Sequence, residues 1–415
     1  MKTTITLLLA FLLTGLLSCQ QSNDDDQPET REPKSIVLPD YATEVLTKSN
    51  HFGISLFTKV AGEEQENMML SPLSANIALN MAMNGAAGNT FTQMRDMLGY
   101  NNLTQEEINE LYQTLVEQLL EADNKVTLNL ANAMFYRNGF PIKPSYKEAM
   151  KTDYQADIEG IDFSDVVNTL KRINGWASDH TNRKIDKVLN EISGDAVMFL
   201  LNAVYFKGDW TQQFEKDATE DLPFTLSNGE SIEVPTMSGK IPLRRYNGNG
   251  FSAYELSYGR DNFVMDLILP NESLPGMLPV FTGETYEEIT SGLDQQEDKM
   301  EYNVLLPRFK FKYEKKLNES LTNMGMQDAF SPNTADFSNL SDVATFISFV
   351  KQNTFVDVNE EGTEAAAVTT IGFFTTSTGG GTPTVHFDKP FVFAIRERTT
   401  NTLLFIGTVY NPLEV

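Results

Sequence analysis

The order of elements along this chain predicts an α+β fold. Helical signals crowd the first half and strand signals the second. From about Leu38 onward there is no long Gly/Ser/Pro linker, internal repeat or second apolar run of membrane length, so one large domain is the simplest organisation. The first helix is expected over 40–60. A second opens at Ser71-Pro72, where Ser caps the orphan amides and Pro fits the first turn, and runs towards Gly85. A third follows Thr104-Gln105-Glu106-Glu107, a capping box ahead of Ile108, Leu111, Leu115 and Leu119 at helical spacing. Strands begin with the alternation at 126–130. They continue at 197–206, 303–313, 346–359 and 384–409, all rich in aromatic and β-branched residues. The unbroken apolar run 197–201 extends into Ala203, Val204, Tyr205 and Phe206, which favours a strand buried on both faces.

Composition removes several function classes. Against 32 Lys and Arg stand 57 Asp and Glu, a net charge of -25 that repels phosphate backbones and disfavours a nucleic-acid partner or a polyanionic activator. One cysteine and three histidines leave little material for a metal site or imidazole catalysis, and no cofactor is expected. His51, His180 and His386 are scattered, so no triad is expected among them. Ser348-Phe349-Val350-Lys351 matches Ser-x-x-Lys but falls in an expected strand without its companion motifs. Gly248-Asn249-Gly250-Phe251-Ser252-Ala253 is like a dinucleotide fingerprint, but no strand clearly precedes it and a turn is the better reading. No catalytic residue is assigned, and the chain is read as no enzyme.

The amino terminus reads as an export and anchoring device. Met1-Lys2 precedes an apolar run from Ile5 to Leu17, shorter than the roughly 20 residues that span a bilayer. The run ends in Leu16-Leu17-Ser18-Cys19, which resembles a bacterial lipoprotein lipobox and makes Cys19 the candidate lipidation site. Residues 1–18 are then a signal peptide and 19–38 an acidic, extended tether, since Asp24-Asp25-Asp26 and its neighbours lack apolar periodicity. The acidic cluster resembles an export tag to the outer face of the outer membrane, so a secreted, lipid-anchored, surface-exposed protein is expected.

The informative segment is Asn359-Glu360-Glu361-Gly362-Thr363-Glu364-Ala365-Ala366-Ala367-Val368-Thr369-Thr370, continuing through Phe373 and Phe374 to Gly379-Gly380-Gly381. Small residues follow a strand, then an apolar and hydroxylated stretch, then a Gly run. This describes an exposed loop able to become extended. With period two, Thr363, Ala365, Ala367, Thr369, Ile371 and Phe373 share a face, and its small early members can enter a packed sheet without clashes.

This segment resembles the hinge of inhibitory serpins, which reads close to Glu-Glu-Gly-Thr-Glu-Ala-Ala-Ala-x-Thr. Asn67-Met68-Met69-Leu70-Ser71-Pro72-Leu73-Ser74, Asn202-Ala203-Val204-Tyr205-Phe206-Lys207-Gly208-Asp209-Trp210, Leu306-Pro307-Arg308-Phe309 and Phe387-Asp388-Lys389-Pro390-Phe391 support it in the same order. The resemblance implies a serpin fold over 39–415: many helices, three β-sheets and an exposed reactive-centre loop. It implies a suicide inhibitor of serine, or cysteine, endopeptidases, in which the cut loop inserts into the main sheet as a new strand and drags the acylated protease with it. The alternative is a non-inhibitory serpin-fold surface binding protein.

Residue roles follow from the same resemblance. Glu360, Gly362, Thr363, Ala365, Ala366 and Ala367 form the hinge. Ser71, Ser74 and Asn202 form a polar cluster beneath the opening strands, with Gln352 where the family usually has His. Trp210 marks where insertion begins, and Arg308 pairs with Glu360 at the surface. The scissile bond lies among Phe373, Phe374, Thr375, Thr376 and Ser377. Counting from Gly362 as in typical inhibitors gives Thr376-Ser377, whereas Phe373 or Phe374 suits a chymotrypsin-like pocket and Thr375 or Thr376 an elastase-like one. No Lys or Arg lies between Gly362 and Gly381, which disfavours trypsin-like targets. The expected partner of the monomer is a chymotrypsin-, elastase- or subtilisin-like serine endopeptidase.

Overall fold

The computed structural model describes residues 34–100, 103–363 and 382–414. The expected helices form where local chemistry starts them. Helix α1 (Ala42–Glu63) buries Val45, Leu46, Phe52, Phe57 and Val60. Helix α2 (Pro72–Met83) begins with Ser71 accepting from the Ser74 amide and Pro at the first turn. Helix α3 (Gly88–Leu98) ends at Gly99, left-handed at φ 82°. Helix α4 (Gln105–Leu120) carries the complete Thr104/Glu107 capping box and buries Ile108, Leu111, Leu115 and Leu119. Helices α5 (Pro144–Thr152), α6 (Val166–His180), α7 (Leu274–Met277), α8 (Gly283–Asp294) and α9 (Asn318–Asn323) follow.

Fifteen strands alternate with and follow these helices among the described residues. They are β1 (Met68–Leu70), β2 (Val126–Arg137), β3 (Asp157–Ile161), β4 (Met198–Asp209), β5 (Glu220–Thr225), β6 (Ser231–Gly248), β7 (Phe251–Tyr258) and β8 (Phe263–Pro270). Then come β9 (Met300–Pro307), β10 (Phe309–Lys316), β11 (Lys351–Asn359), β12 (Gly362–Thr363), β13 (Thr384–His386), β14 (Phe391–Glu397) and β15 (Thr402–Val409). The main sheet has the order β10-β11-β12-β4-β2-β3. The other nine strands form two sheets that share β6: its end, from Arg244 to Gly248, pairs β7, while its earlier residues pair β5 and β9. Three sheets result, as the resemblance implied.

Several sequence expectations need correction. The strand expected from Phe346 begins only at Lys351, and 344–350 lies outside any strand, held instead by scattered bonds such as that from the Ile347 amide to the Ala329 carbonyl. Consequently Ser348 of the Ser-x-x-Lys match is not in a strand. The expected 303–313 strand is two, broken at Arg308, whose amide bonds the Pro235 carbonyl. A strand does precede Gly248–Ala253, namely β6, but another strand follows it, and Gly250 takes φ 88° in the hairpin turn. A phosphate-binding helix start is therefore excluded there.

The most informative correction concerns β4. It is a strand, but Leu200, Leu201, Asn202 and Val204 are only half-buried. The cause lies beside it. Strand β4 pairs fully with β2, and β10 with β11, but among the described residues no ladder joins β4 directly to β11. Only the two residues of β12 bridge them, Gly362 opposite Asn359 and Asp209, Thr363 opposite Val358 and Gly208. Below this bridge lies a cavity of about 580 Å³, lined by Leu200, Asn202 and Val204 on one side and Gln352 and Thr354 on the other. Ser71 and Ala75 of the α2 region line it as well, as do Trp176 and Ala177 of α6.

Candidate functional site: the hinge and the slot beneath it

Close packing explains why the residue entering the slot is a glycine. Gly362 adopts φ 152°, and a Cβ there would lie 2.1 Å from the Gly208 carbonyl oxygen and 2.7 Å from Asp209 Cα. No side chain fits. Thr363 follows, 4% exposed, its hydroxyl 2.6 Å from the Tyr258 phenol oxygen. Tyr258 is fully buried, which pushes its pKa well above the usual range and keeps it a neutral hydrogen-bonding group. Trp210 stacks on Tyr258 with ring centroids 4.4 Å apart, and its indole N–H donates to the Asn359 carbonyl at 2.9 Å. Trp210 thus ties the end of β4 to the end of β11.

The Glu360 pair differs from the surface contact expected. Arg308 is 43% exposed on its side chain, but Glu360 is buried at 3%. Arg308 Nε donates to Glu360 Oε1 at 2.6 Å, and the Thr219 hydroxyl donates to the same oxygen. Burial raises the Glu360 pKa, but the hydrogen bonds from Arg308 and Thr219 prevail and hold it below its ordinary 4.5. A lowered folded-state pKa means the unfolded chain takes up the proton first as pH falls. The stabilisation is therefore present above the ordinary carboxylate range and is lost as pH drops through the lower folded value. Glu360→Gln is expected to lower the urea midpoint at pH 7, with the gap to the parent closing below about pH 4.

The expected polar cluster is brought together in part. Gln352 grips the backbone of Ser71 at two points: its Nε2 donates to the Ser71 carbonyl at 2.7 Å and its Oε1 accepts from the Ser71 amide at 3.1 Å. Ser71 Oγ donates to the Leu404 carbonyl at 2.7 Å and accepts from the Ser74 amide. This two-point grip requires an amide side chain, a group without a titration in the physiological range. Asn202 stands apart from it: its Nδ2 donates to Asn132 Oδ1 at 2.7 Å, and its own Oδ1 is buried without a partner among the described residues. Truncating Gln352 to Ala strands the buried Ser71 amide, while the Ser71 carbonyl keeps the Ala75 amide, and is expected to cost about 1–3 kcal/mol in urea unfolding.

Sequence reasoning missed Tyr258, Thr219 and Lys216. Each comes from an element remote in sequence from the hinge, and a lone Tyr, Thr or Lys carries no motif. Ala365, Ala366 and Ala367, the scissile candidates 373–377 and Cys19 lie outside the described residues. Among the described residues no group of His, Cys, Asp and Glu could hold a metal, and no helix is long and apolar enough to cross a membrane.

A main sheet split between β4 and β11, with two small residues seated at the mouth of the split, defines the class of fold to be compared. Comparison identifies the class: residues 47–412 match the Serpin (serine protease inhibitor) family. Serpin B6 of Pongo abelii is 34% identical over 378 residues, 89% of this chain and 100% of the relative. Iripin-3 of Ixodes ricinus is 34% identical over 87% of this chain and 93% of its own. The native state of the thermophilic serpin Tengpin superposes with TM-score 0.80 at 31% identity, covering 91% of this chain and 96% of that one. Thyroxine-binding globulin in complex with thyroxine gives 0.79 at 25% identity, covering 89% and 99%. The chain belongs to the serpin family, a family of protease inhibitors rather than enzymes.

Proposed function

We propose that the protein is a suicide inhibitor of serine endopeptidases with chymotrypsin-, elastase- or subtilisin-like specificity. The protease attacks the loop as substrate and forms an acyl-enzyme with its own nucleophile, so this chain supplies no catalytic group. The cut loop enters between β4 and β11, and the tethered protease is carried away before deacylation releases it. The observation behind this reading is the seating of Gly362 and Thr363 between β4 and β11, directly above a cavity walled by both strands. The small residues Ala365 and Ala367, on the face that begins with Thr363, suit the same path.

The Cys19 lipobox and acidic tether support a lipid-anchored protein on the outer face of an outer membrane, acting on host or competitor proteases. Incubation with chymotrypsin, an elastase and subtilisin, followed by a denaturing gel and intact-mass analysis, tests the proposal. The expected result is a covalent complex with at least one enzyme and a released carboxy-terminal peptide whose mass places the cut within 373–377. Clean cleavage by all three without a complex would refute it.

A further inference from the structure

We propose that Lys216 is a positioning residue for loop insertion, the β4-side half of a two-sided buckle at the mouth of the slot; this rests on the insertion reading above. The segment after β4 lies along the hinge. The amide of Trp210 donates to the Glu361 carbonyl at 2.8 Å, and that of Phe214 to the Glu360 carbonyl at 2.9 Å. Gln213 Nε2 reaches the Glu361 carbonyl at 3.3 Å. Lys216, 59% exposed on its side chain, then closes an ion pair on the Glu361 carboxylate, which is only 10% exposed.

The neighbouring carboxylate takes its cation from the far side of the slot. Glu360 is paired with Arg308, which directly precedes β10, while the Thr219 hydroxyl, three residues on from Lys216, donates to the same Glu360 oxygen. Two adjacent acids are thus each neutralised by a cation from an opposite edge of the split sheet. The dipeptide they form spans the mouth and places Gly362 between Asn359 and Asp209. Arg308 and Lys216 are not interchangeable in this arrangement, since each secures one edge.

Asp209 lies close to the Glu361 carboxylate. Its pKa is raised, chiefly by burial; Lys207 and Lys125 oppose the rise and the nearby Glu361 carboxylate adds to it. Without Lys216, the Glu361 carboxylate would stay nearly buried beside Asp209 with no cation of its own among the described ion pairs. That unpaired charge favours release of residues 361–363 from β4. Hinge release at this edge removes the seeded strand from which insertion propagates.

The test compares the full-length parent, Lys216→Met, Glu361→Gln and the swapped pair Lys216→Glu with Glu361→Lys. Hydrogen exchange of the Gly362 and Thr363 amides is the primary readout, because it does not depend on inhibition. Lys216→Met is expected to exchange about tenfold faster there, with the β14 and β15 amides unchanged, and the swapped pair to return towards the parent rate. With a protease that the parent traps, Lys216→Met is also expected to shift the outcome from complex towards cleaved, free protein. Unchanged exchange at Gly362 and Thr363, a uniform rise across β14 and β15, or failure of the swap to restore protection would each overturn the role of Lys216. A parent that traps no protease would instead refute the inhibitory reading, while the exchange comparison would still decide the buckle.

Discussion

Thr363→Arg is expected to convert the protein from an inhibitor into a substrate. Thr363 is buried between β4 and β11, hydrogen bonded to Tyr258, and shares a small cavity with Met69, Val204, Phe206, Ile395 and Phe405. An Arg there must place a guanidinium into a mostly apolar wall that also holds Lys184 and one carboxylate, Asp357, which is already paired with Lys310, so the burial costs several kcal/mol unless the Arg displaces that lysine. The outcome for the protease is a race between insertion and deacylation. Each 1.4 kcal/mol added to the insertion barrier slows it about tenfold, so a few kcal/mol hands the race to deacylation. The fraction of cleaved loops that end as covalent complex is expected to fall by about tenfold or more, with cleavage at the same bond still rapid. Thr363→Ser keeps the hydroxyl and the size and is expected to trap as the parent does. Titration against a fixed amount of protease, scored on a denaturing gel, measures both. Equal trapping by the Arg variant would mean that the burial of residue 363 between β4 and β11 is not needed for trapping.

Loop cleavage is expected to stabilise the protein, the reverse of what a nick does to most folds. The cavity beside β4 and β11 is about 580 Å³. At ~24 cal/mol per Å³, filling it corresponds to about 14 kcal/mol, a ceiling because water has access to the slot. A new strand adds ladder hydrogen bonds on both sides, to edges that have no such partner among the described residues. For a chain of this size a gain approaching that ceiling raises the melting temperature by about 10–15 °C. Differential scanning calorimetry of intact and loop-cleaved protein, with the cut verified by mass, reads this directly. A cleaved form that melts at or below the intact one would show that the slot stays unfilled. On the proposed mechanism the uncut form is held by a kinetic barrier rather than by being the most stable state.

Much of this architecture was legible in the chain. The capping box at Thr104 and the Ser71-Pro72 start are local devices, and the helices begin where they stand. The hinge motif at Glu360, Gly362 and Thr363 could be placed because its small residues have a steric reason, visible in the 2.1 Å approach of a Gly362 Cβ to the Gly208 carbonyl. The missing ladder between β4 and β11 could not be read. Residues such as Leu200, Leu201 and Val204 look like those of a strand buried on both faces, and their half-burial follows from the cavity that lies beside β4 where no described strand pairs with it. Periodicity reports side-chain character, not whether a backbone edge is occupied. Burial of Glu360 was invisible for a related reason. A carboxylate flanked by Glu361 and Asn359 reads as solvated until Arg308 and Thr219 fold onto it from distant elements.

On the proposed mechanism the loop becomes a strand between β4 and β11, and a crystal structure of the protein cleaved within 373–377 shows whether it does. Residues after Thr363 are expected to continue β12 through the slot, pairing on one side with β4 down to Leu200 and on the other with β11 down to Gln352, with the 580 Å³ cavity gone. A cleaved structure with the loop outside the sheet, and β4 still separated from β11 or joined directly to it, would contradict it.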